Sequence, residues 1–179
     1  MKILNSFDDI PKNLQFAFSI GVFDGVHLGH EALISALKKT LSPTLILTFT
    51  NHPAEILRPN SVPKMLLSVE KKLLILKQHE IDYVLLIPFT QELSQTSFDA
   101  LLDKIPLAHF VIGKGDSFGR AKLGNEENLK AYAEKRRTGL TIVEKNEISS
   151  SLIRKLLEAN DFEKASSLMG RPYTPEKSI

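Results

Sequence analysis

Two histidines, His27 and His30, stand three positions apart in the stretch GVFDGVHLGH, which spans residues 21–30. On a helical turn, side chains at this spacing lie on the same side. Two imidazoles placed there can donate hydrogen bonds to phosphate oxygens, and such donors stabilise the charge that builds up during in-line displacement at phosphorus. The pair therefore predicts a site for a ligand that carries phosphate.

The same stretch contains Gly21, Gly25 and Gly29, which allow a tight turn and a close approach of the backbone to a ligand. A helix that begins after such a turn presents unpaired N–H groups and the positive end of its dipole, which suits a phosphate. The glycine spacing is neither Gly-x-Gly-x-x-Gly nor a P-loop. It therefore argues against hydride transfer and against a P-loop kinase.

Two other interpretations of the histidine pair are open at this point. One histidine could cap the helix while the other is exposed, or both could bind zinc. The glycine-rich setting favours phosphate binding over the cap. The chain has five histidines and no cysteine, and no further cluster of these residues accompanies the pair, which disfavours zinc.

A second polar segment, near the end of the chain, holds Ser149, Ser150 and Ser151, followed by Arg154. The serines are expected at a helix N-terminus, with Arg154 one turn into the helix, where its N–H groups can reach a phosphate. The alternative is an ordinary serine cap beside an exposed arginine. Because the histidine stretch is present as well, phosphate binding is the favoured interpretation.

These two segments need a framework that brings them together, and the apolar pattern predicts one. Short apolar runs of strand length occupy residues 16–21, 44–49, 83–87, 110–112 and 140–143. Runs that are apolar almost throughout indicate a parallel sheet covered on both faces. Their alternation with helical segments predicts a doubly wound α/β fold of five strands or slightly more, in which ligands bind beyond the carboxyl ends of the strands.

Five helices are predicted from apolar residues at helical spacing and from capping residues. They cover residues 31–39, 68–78 with Ser68 as the cap, 126–137 with Asn125 as the cap, 150–158 and 161–169. Gly139 is expected where the third helix ends, and the segment from Gly170 to Pro172 is expected to stop the last one.

Composition excludes several classes of protein. The chain has 179 residues, of which 42% are hydrophobic and 25% charged, as in an ordinary globular domain. Its net charge of +2 gives no indication of nucleic acid or membrane as a partner. The N-terminus lacks the apolar core of a signal peptide, and no apolar run approaches the roughly 20 residues that span a bilayer. We therefore expect a cytoplasmic protein.

The two polar segments resemble a known pair of signatures. His27-Leu28-Gly29-His30 resembles the His-x-Gly-His signature of the nucleotidylyltransferase superfamily. The whole stretch 21–30 is similar to the pattern of bacterial FMN adenylyltransferases, also called FAD synthetases, which are part of the bifunctional riboflavin kinase/FAD synthetase family. Residues 148–154, ISSSLIR, resemble the second signature, Ile-Ser-Ser-Thr-x-x-Arg, with Ser151 supplying the hydroxyl of the usual threonine.

Further similarity to this family runs along nearly the whole chain, in the expected order. It is found at residues 47–49 with 52–53, 66–76 leading into 82–84, 111–113 through 118–119, and 168–173. Each signature alone is moderately specific, whereas both together point to the superfamily and the intervening stretches point to its flavin branch.

The resemblance implies a Rossmann-like nucleotidylyltransferase fold and a reaction in which ATP and FMN, with Mg²⁺, give FAD and pyrophosphate. The flavin phosphate would attack the α-phosphorus of ATP directly, so catalysis would consist of positioning and charge stabilisation. The catalytic residues implied are His27, His30, Ser150, Ser151 and Arg154. The residues implied in binding ATP and FMN are Gly21, Phe23, Asp24, Gly25, Gly29, Phe49, Asn51, His52, Gly113, Asp116, Phe118 and Ser149. The metal ligands are left undetermined.

The similarity also implies candidates for the surface that covers the flavin ring. These are the segment 51–58 and the loop around Phe118, whose aromatic ring could stack on the flavin. Core packing is the alternative for Phe118.

The sequence departs from the family pattern at two loops. Thr50 and Asn51 stand where an acid and a proline are usual, so an expected carboxylate is missing. Gly115 stands where the family has an Asp or Asn, and Asp116 follows one place later. Both changes bear on flavin affinity and on the handling of Mg²⁺ more than on the fold.

Most members of the family continue into a riboflavin kinase domain, whereas only six residues follow Tyr173 here. We therefore expect one domain over residues 1–179 with no kinase domain, either as a stand-alone transferase or as part of a longer protein. A separate riboflavin kinase would then supply FMN.

Two alternative functions are kept beside the flavin assignment. One is another nucleotidylyltransferase with the His-x-Gly-His signature, acting on phosphopantetheine, nicotinamide mononucleotide or a phospho-alcohol. The other is a non-catalytic relative that binds a flavin or a nucleotide. Retention of His27, His30, Ser150 and Arg154 favours catalysis over binding alone.

Overall fold

Six parallel strands form the central sheet of the computed structural model, which describes residues 1–144 and 147–173. They are β1 (Lys2–Leu4), β2 (Phe16–Ile20), β3 (Thr44–Phe49), β4 (Tyr83–Ile87), β5 (Leu107–Gly113) and β6 (Gly139–Val143). Their order across the sheet is β1-β4-β3-β2-β5-β6, and each neighbouring pair is parallel. The doubly wound α/β prediction is confirmed, with β1 added at one edge.

The strand order reverses at β2. The chain proceeds from β2 through β3 to β4 on one side and then crosses back, so that β5 and β6 lie on the other side. This arrangement opens a crevice at the carboxyl ends of β2 and β5, which is where doubly wound folds bind their ligands. The loops that follow these two strands therefore form the place to look for a site.

Eight α-helices lie in the described part of the chain. They are α1 (Leu28–Lys38), α2 (Ala54–Leu57), α3 (Val69–Gln78), α4 (Gln91–Gln95), α5 (Phe98–Leu102), α6 (Glu126–Arg136), α7 (Ser150–Glu158) and α8 (Phe162–Met169). Short 3₁₀ turns occur at Phe7–Asp9, Pro59–Ser61 and Arg120–Lys122. The five predicted helices are confirmed, although α1 begins three residues earlier than predicted. None of the described helices is long and apolar enough to cross a membrane.

The helix ends follow from local side-chain chemistry. Ser68 Oγ accepts a hydrogen bond from the Lys71 amide at 3.3 Å, and Asn125 Oδ1 accepts one from the Asn128 amide at 3.1 Å, so both predicted caps are confirmed. Gly170 ends α8 in the left-handed conformation with φ 67°. The prediction that a glycine ends the third predicted helix is wrong, because α6 stops at Arg136 and the left-handed position is taken by the residue after it, with φ 56°.

Gly139 instead begins β6, beside His109 on β5. A Cβ at Gly139 would lie 2.0 Å from His109 Nδ1, while the other ring nitrogen, Nε2, lies 2.8 Å from Thr141 Oγ1 and holds the ring in place. We expect Gly139→Ala to lower the free energy of unfolding by about 1–3 kcal/mol, because the ring must leave its packed position. Urea denaturation measures the change.

A second substitution tests the cause of this loss. In a Gly139→Ala protein that also carries His109→Ala, the smaller side chain makes room for the new Cβ, so most of the lost stability should return. If Gly139→Ala alone unfolds at the same urea concentration as the unaltered protein, the ring contact does not explain the glycine.

The sheet is covered on both faces, as predicted. Phe16 and Phe18 belong to the larger core cluster on one face, while Ala17 belongs to the cluster on the other face, together with apolar residues of α1 and α3. This alternation follows from the period of two residues in a strand. A third cluster joins α7 and α8 to the segment before α3 through Leu66, Ile153, Ala165 and Met169. The expected single domain over 1–179 includes residues 174–179, which lie outside the described residues.

Candidate functional site

A cavity of about 270 Å³ lies at the carboxyl ends of β2 and β5. All five residues predicted as catalytic border it, and so do six of the predicted ligand-binding residues. These eleven are Asp24, His27, Gly29, His30, His52, Gly113, Asp116, Ser149, Ser150, Ser151 and Arg154. The fold therefore brings together the two signature segments, which are separated by more than a hundred residues in sequence.

The turn after β2 has an unusual backbone. Phe23 and Val26 have positive φ values of 50° and 35°, and Gly25 has φ 86°. A positive φ is rare for a β-branched residue such as valine. Backbone conformations of this kind cost on the order of 1–3 kcal/mol each and persist only where the surroundings hold them. The surroundings of this turn are therefore part of the site.

Side chains from distant segments hold the carbonyl groups of the turn. Ser150 Oγ donates to Asp24 O at 2.8 Å. Arg171 donates through Nη2 to Gly25 O and through Nη1 to Val26 O, the latter at 2.9 Å. These three consecutive carbonyls are thus bound by residues that follow β6 in the chain. The turn keeps its shape because α7 and the end of α8 are docked against it.

The two histidines lie at the start of α1 with their rings stacked. The ring centroids of His27 and His30 are 3.8 Å apart with an interplanar angle of 21°, and Phe23 packs on the other side of His30 at 4.9 Å. The prediction that both imidazoles lie on one side is confirmed. His27 occupies the N-cap position, but no side chain of the described residues caps α1. The His30 and Glu31 amides donate to His27 O at 2.7 and 3.1 Å, and Gly29 and His30 place the start of the helix, with the positive end of its dipole, at the cavity.

A buried ion pair joins the turn to α7. Arg154 Nη2 donates to Asp24 Oδ2, and the two side chains are 14% and 2% exposed. Arg154 Nε also donates to Lys64 O at 2.7 Å, and the Leu66 amide donates to Asp24 Oδ1 at 2.8 Å. The alternative of an exposed arginine is therefore wrong. Asp24 ties the turn to both the segment before α3 and the first turn of α7.

The three serines of the second signature have different surroundings. Ser149 Oγ accepts a hydrogen bond from the Leu152 amide at 3.2 Å and so caps α7. Ser150 is engaged with the turn through its hydroxyl, whereas Ser151 is exposed at the cavity. One serine is thus the cap, and the two after it are available to shape and line the site.

His52 contributes a third imidazole to the cavity wall. Its Nδ1 accepts a hydrogen bond from the Ala54 amide at 3.0 Å, so in the neutral ring the proton is carried by Nε2. Burial lowers the pKa of His52, and the positive charge of Arg154 lowers it further, while Asp24 and Glu55 act in the opposite direction. These effects favour the neutral ring of His52, which can donate a hydrogen bond through Nε2.

The loop after β5 turns Asp116 towards the cavity. Gly115 has φ 74°, a conformation that suits glycine, and the Asp116 amide donates to Gly113 O at 3.0 Å. Asp116 thus borders the cavity although it stands one place later than the family pattern places its polar residue. The Gly115 amide donates to Glu126 Oε1 at 2.8 Å, which fixes this loop against α6.

Six of the residues predicted to bind ligands do not border the cavity. Gly21 and Gly25 belong to the backbone of the turn, and Phe23 is buried beneath His30. Phe118 packs on Phe110, with ring centroids 5.5 Å apart, and joins the main core cluster, which favours the core alternative for this residue.

The other two residues of this group hold the segment after β3. Phe49 is buried and its ring lies 5.2 Å from that of Phe89. Asn51 Oδ1 accepts from the Phe89 amide at 2.7 Å, and its Nδ2 donates to Phe89 O at 3.2 Å. Asn51, which departs from the family pattern, thus links the ends of β3 and β4. A contact of either residue with a ligand stays a prediction.

Lys72 and Arg171 were not predicted as part of the site. Lys72 is 1% exposed and points beneath the turn, where its ammonium binds Val22 O. The sequence gives one indication that Lys72 is buried. It stands on the apolar side of α3, three positions after Val69 and four before Leu76, where the helical spacing predicts an apolar residue. Arg171 lies in the stretch 168–173 that resembles the family, but the sequence does not indicate its partners Val26 O and Gly25 O, which lie 145 and 146 positions earlier. Within the described residues, no group of three or more His, Asp or Glu side chains is arranged to hold a metal ion.

Comparison with known proteins identifies relatives of the chain. Residues 9–155 match the sequence family described as FAD synthetase. The chain is 33% identical over 190 residues to a bifunctional riboflavin kinase/FMN adenylyltransferase of Buchnera aphidicola, covering 97% of this chain and 61% of that one. It is 27% identical over 173 residues to an FAD synthetase of Listeria monocytogenes, covering 87% of this chain and 68% of the relative.

A solved structure shows the same fold. The chain superposes with a TM-score of 0.84 and 24% identity on the crystal structure of a macrolide-efflux protein from Streptococcus pneumoniae, covering 96% of this chain and 60% of that one. At this identity the likeness bears on the fold alone. Against the bifunctional relative from Buchnera aphidicola, the chain spans 61% of the relative's length.

Proposed function

The chain belongs to the FAD synthetase family, and from this premise we propose that it transfers AMP from ATP to FMN, giving FAD and pyrophosphate. The observation that carries the proposal is the cavity at the strand-order reversal, where the stacked pair His27 and His30 and the guanidinium of Arg154 border the same space. Donors on two walls of a cavity suit a polyphosphate held between them.

The reaction needs no covalent intermediate on the protein. A phosphate oxygen of FMN attacks the α-phosphorus of ATP, the bond from that phosphorus to the oxygen bridging to the β-phosphate breaks, and pyrophosphate leaves with the electron pair. The imidazoles of His27 and His30 and the N–H groups at the start of α1 stabilise the negative charge that builds up on the phosphate oxygens. The residues therefore act by positioning and by hydrogen bonding.

Arg154 keeps donors for this purpose although it pairs with Asp24. An arginine has five N–H donors, and the bonds to Asp24 and Lys64 O use two of them. The remaining donors can contact a phosphate, while the buried carboxylate holds the guanidinium in one orientation. Ser151, exposed at the same wall, adds a hydroxyl.

We further propose that Mg²⁺ enters with ATP. Mg²⁺ in nucleotide sites is held by one or two carboxylates together with phosphates and water, so it does not need a cluster of protein ligands. Asp116 and Glu144 are carboxylates at the edge of the cavity that could hold it. When bound, the ion would neutralise charge on the leaving pyrophosphate.

The remaining proposals concern context. We propose that the domain acts in the cytoplasm, alone or within a longer protein, and that a riboflavin kinase supplies its FMN. The bifunctional relatives are named for both activities, riboflavin kinase and FMN adenylyltransferase. The match to this chain covers 61% of the length of the relative from Buchnera aphidicola.

A direct assay tests the function. Purified protein is incubated with ATP, Mg²⁺ and, in separate reactions, FMN, 4′-phosphopantetheine or nicotinamide mononucleotide, and the products are separated by chromatography. We expect FAD and pyrophosphate in the FMN reaction only, and loss of the product when EDTA replaces Mg²⁺. An adenylylated product with another acceptor would overturn the flavin assignment. Absence of product with every acceptor, together with ATP or FMN binding, would identify a binding protein.

A further inference from the structure

Lys72 on α3 buries its ammonium beneath the phosphate-binding turn. Its side chain is 1% exposed, and Nζ donates to Val22 O at 3.2 Å, Thr48 Oγ1 at 3.0 Å and Phe49 O at 2.8 Å. A lysine ammonium has three donors, so each of them has an acceptor. The group is therefore held in one position with its hydrogen-bonding capacity filled.

The three acceptors lie at the carboxyl ends of two neighbouring strands. Val22 follows β2, begins the strained turn and borders the cavity, whereas Thr48 and Phe49 end β3. Thr48 Oγ1 also donates to Val22 O at 2.9 Å. The ammonium and this hydroxyl together fix the point at which the turn leaves the sheet.

A charge in this position is expensive for the fold. Burial lowers the pKa of Lys72 from its ordinary value to about 8, and Asp24 acts in the opposite direction. Among the charged side chains of the described residues, Asp24 is the one whose charge acts on Lys72, and its carboxylate already pairs with Arg154. An apolar residue would continue the apolar side of α3 without this cost. A buried charge that lowers stability is explained if it contributes to ligand binding rather than to folding.

We propose that Lys72 is a positioning residue for the nucleotide: it fixes Val22 at the start of the phosphate-binding turn, and its buried positive charge attracts the polyphosphate. This inference rests on the proposed function, because it assumes that the cavity takes a nucleoside triphosphate. Lys72 does not border the cavity, so it acts through the turn and through its field. A charge surrounded by protein is screened less than one at the surface, so the ammonium can attract a polyphosphate in the cavity without contacting it.

Two lysines of the same helix give a matched comparison. Lys72→Met removes the donors and the charge at nearly constant length, whereas Lys77→Met removes an exposed lysine from the same helix. The dissociation constant of Mg·ATP, measured by titration calorimetry, should rise on the order of tenfold in Lys72→Met and stay unchanged in Lys77→Met. The melting temperature of Lys72→Met should stay within about 3 °C, because relief of the buried charge offsets the lost hydrogen bonds.

A third variant separates position from charge. Thr48→Val keeps the ammonium but removes the hydroxyl that donates to Val22 O, so it should weaken ATP binding by less than Lys72→Met does. A Lys72→Met protein that binds Mg·ATP as tightly as the unaltered protein would overturn the role of Lys72, whatever its melting temperature.

The unaltered protein provides a test that does not depend on a variant folding. At pH 8, calorimetry in buffers of different ionisation enthalpy counts the protons taken up when Mg·ATP binds. A polyanion near Lys72 should raise the pKa of its ammonium and cause uptake of a fraction of a proton. Histidines ordinarily titrate at about 6.5, but His27 and His30 would contact the same phosphates, so Lys72→Met titrated in the same buffers measures the uptake that comes from them. Binding without proton uptake would overturn the proposal.

Failure of the unaltered protein to bind ATP or form FAD would instead overturn the proposed function, and the role of Lys72 with it.

Discussion

Replacement of His30 by alanine is expected to lower the turnover number for FAD formation by about 100-fold or more. The imidazole lies at the start of α1, stacked on His27, and borders the cavity where the α-phosphate would be attacked. Its loss removes a donor that acts on charge formed in the transition state. The fold should persist, because His30 is only partly buried. Steady-state kinetics and a thermal melt measure the two effects.

His79 supplies the control for this substitution. It is also a partly buried histidine, and it faces Glu31 of α1 with Nε2 3.6 Å from the carboxylate, but it does not border the cavity. His79→Ala should therefore leave turnover unchanged. If His30→Ala keeps a turnover number within about threefold of the unaltered enzyme, well short of the loss expected for a transition-state donor, His30 serves only to pack the turn.

Replacement of Arg154 by alanine should reduce both stability and turnover. Asp24 is 2% exposed, so its carboxylate would be left buried without its ion-pair partner. Removal of one partner of a buried ion pair typically costs about 3–5 kcal/mol. Turnover should fall as well, because one wall of the cavity loses its guanidinium. Urea denaturation and the FAD assay measure the two losses separately.

The exposed Arg136–Asp103 pair provides the control for this substitution. Its side chains are 49% and 41% exposed, so Arg136→Ala should change stability by no more than about 1 kcal/mol. A protein with both Arg154→Ala and Asp24→Asn removes the unpaired charge and should recover much of the stability but not the turnover. Full activity in that double variant would show that Arg154 is purely structural.

The long elements could be predicted from the sequence because their patterns repeat. The strands from β2 to β6 are apolar almost throughout, and α3 and α6 are marked by Ser68 and Asn125, residue types that are favoured at the N-cap. β1 has three residues, and α2, α4 and α5 have four or five. Elements of that length cover little more than one period, so neither hydrophobic spacing nor composition distinguishes them from loops.

Only those residues of the site that lie within short contiguous motifs could be predicted from the sequence. His27 and His30 are neighbours in sequence, and the rule that ligands bind at the carboxyl ends of parallel strands brings them near the second signature. The pairing of Asp24 with Arg154 spans 130 positions and depends on how α7 docks. Gly139 was misassigned for the same reason, since its neighbour His109 belongs to another strand.

The anchors of the turn have a consequence for how the protein is made. The turn that carries His27 is synthesised early, but Ser150 and Arg171, which bind its carbonyls, follow by 126 and 146 positions. While the ribosome is still adding α6, the sheet can begin to form, yet the bonds of Ser150 and Arg171 to the carbonyls of Asp24, Gly25 and Val26 cannot. We therefore expect the turn to gain its full set of anchors only after the segment that carries Arg171 has joined the fold.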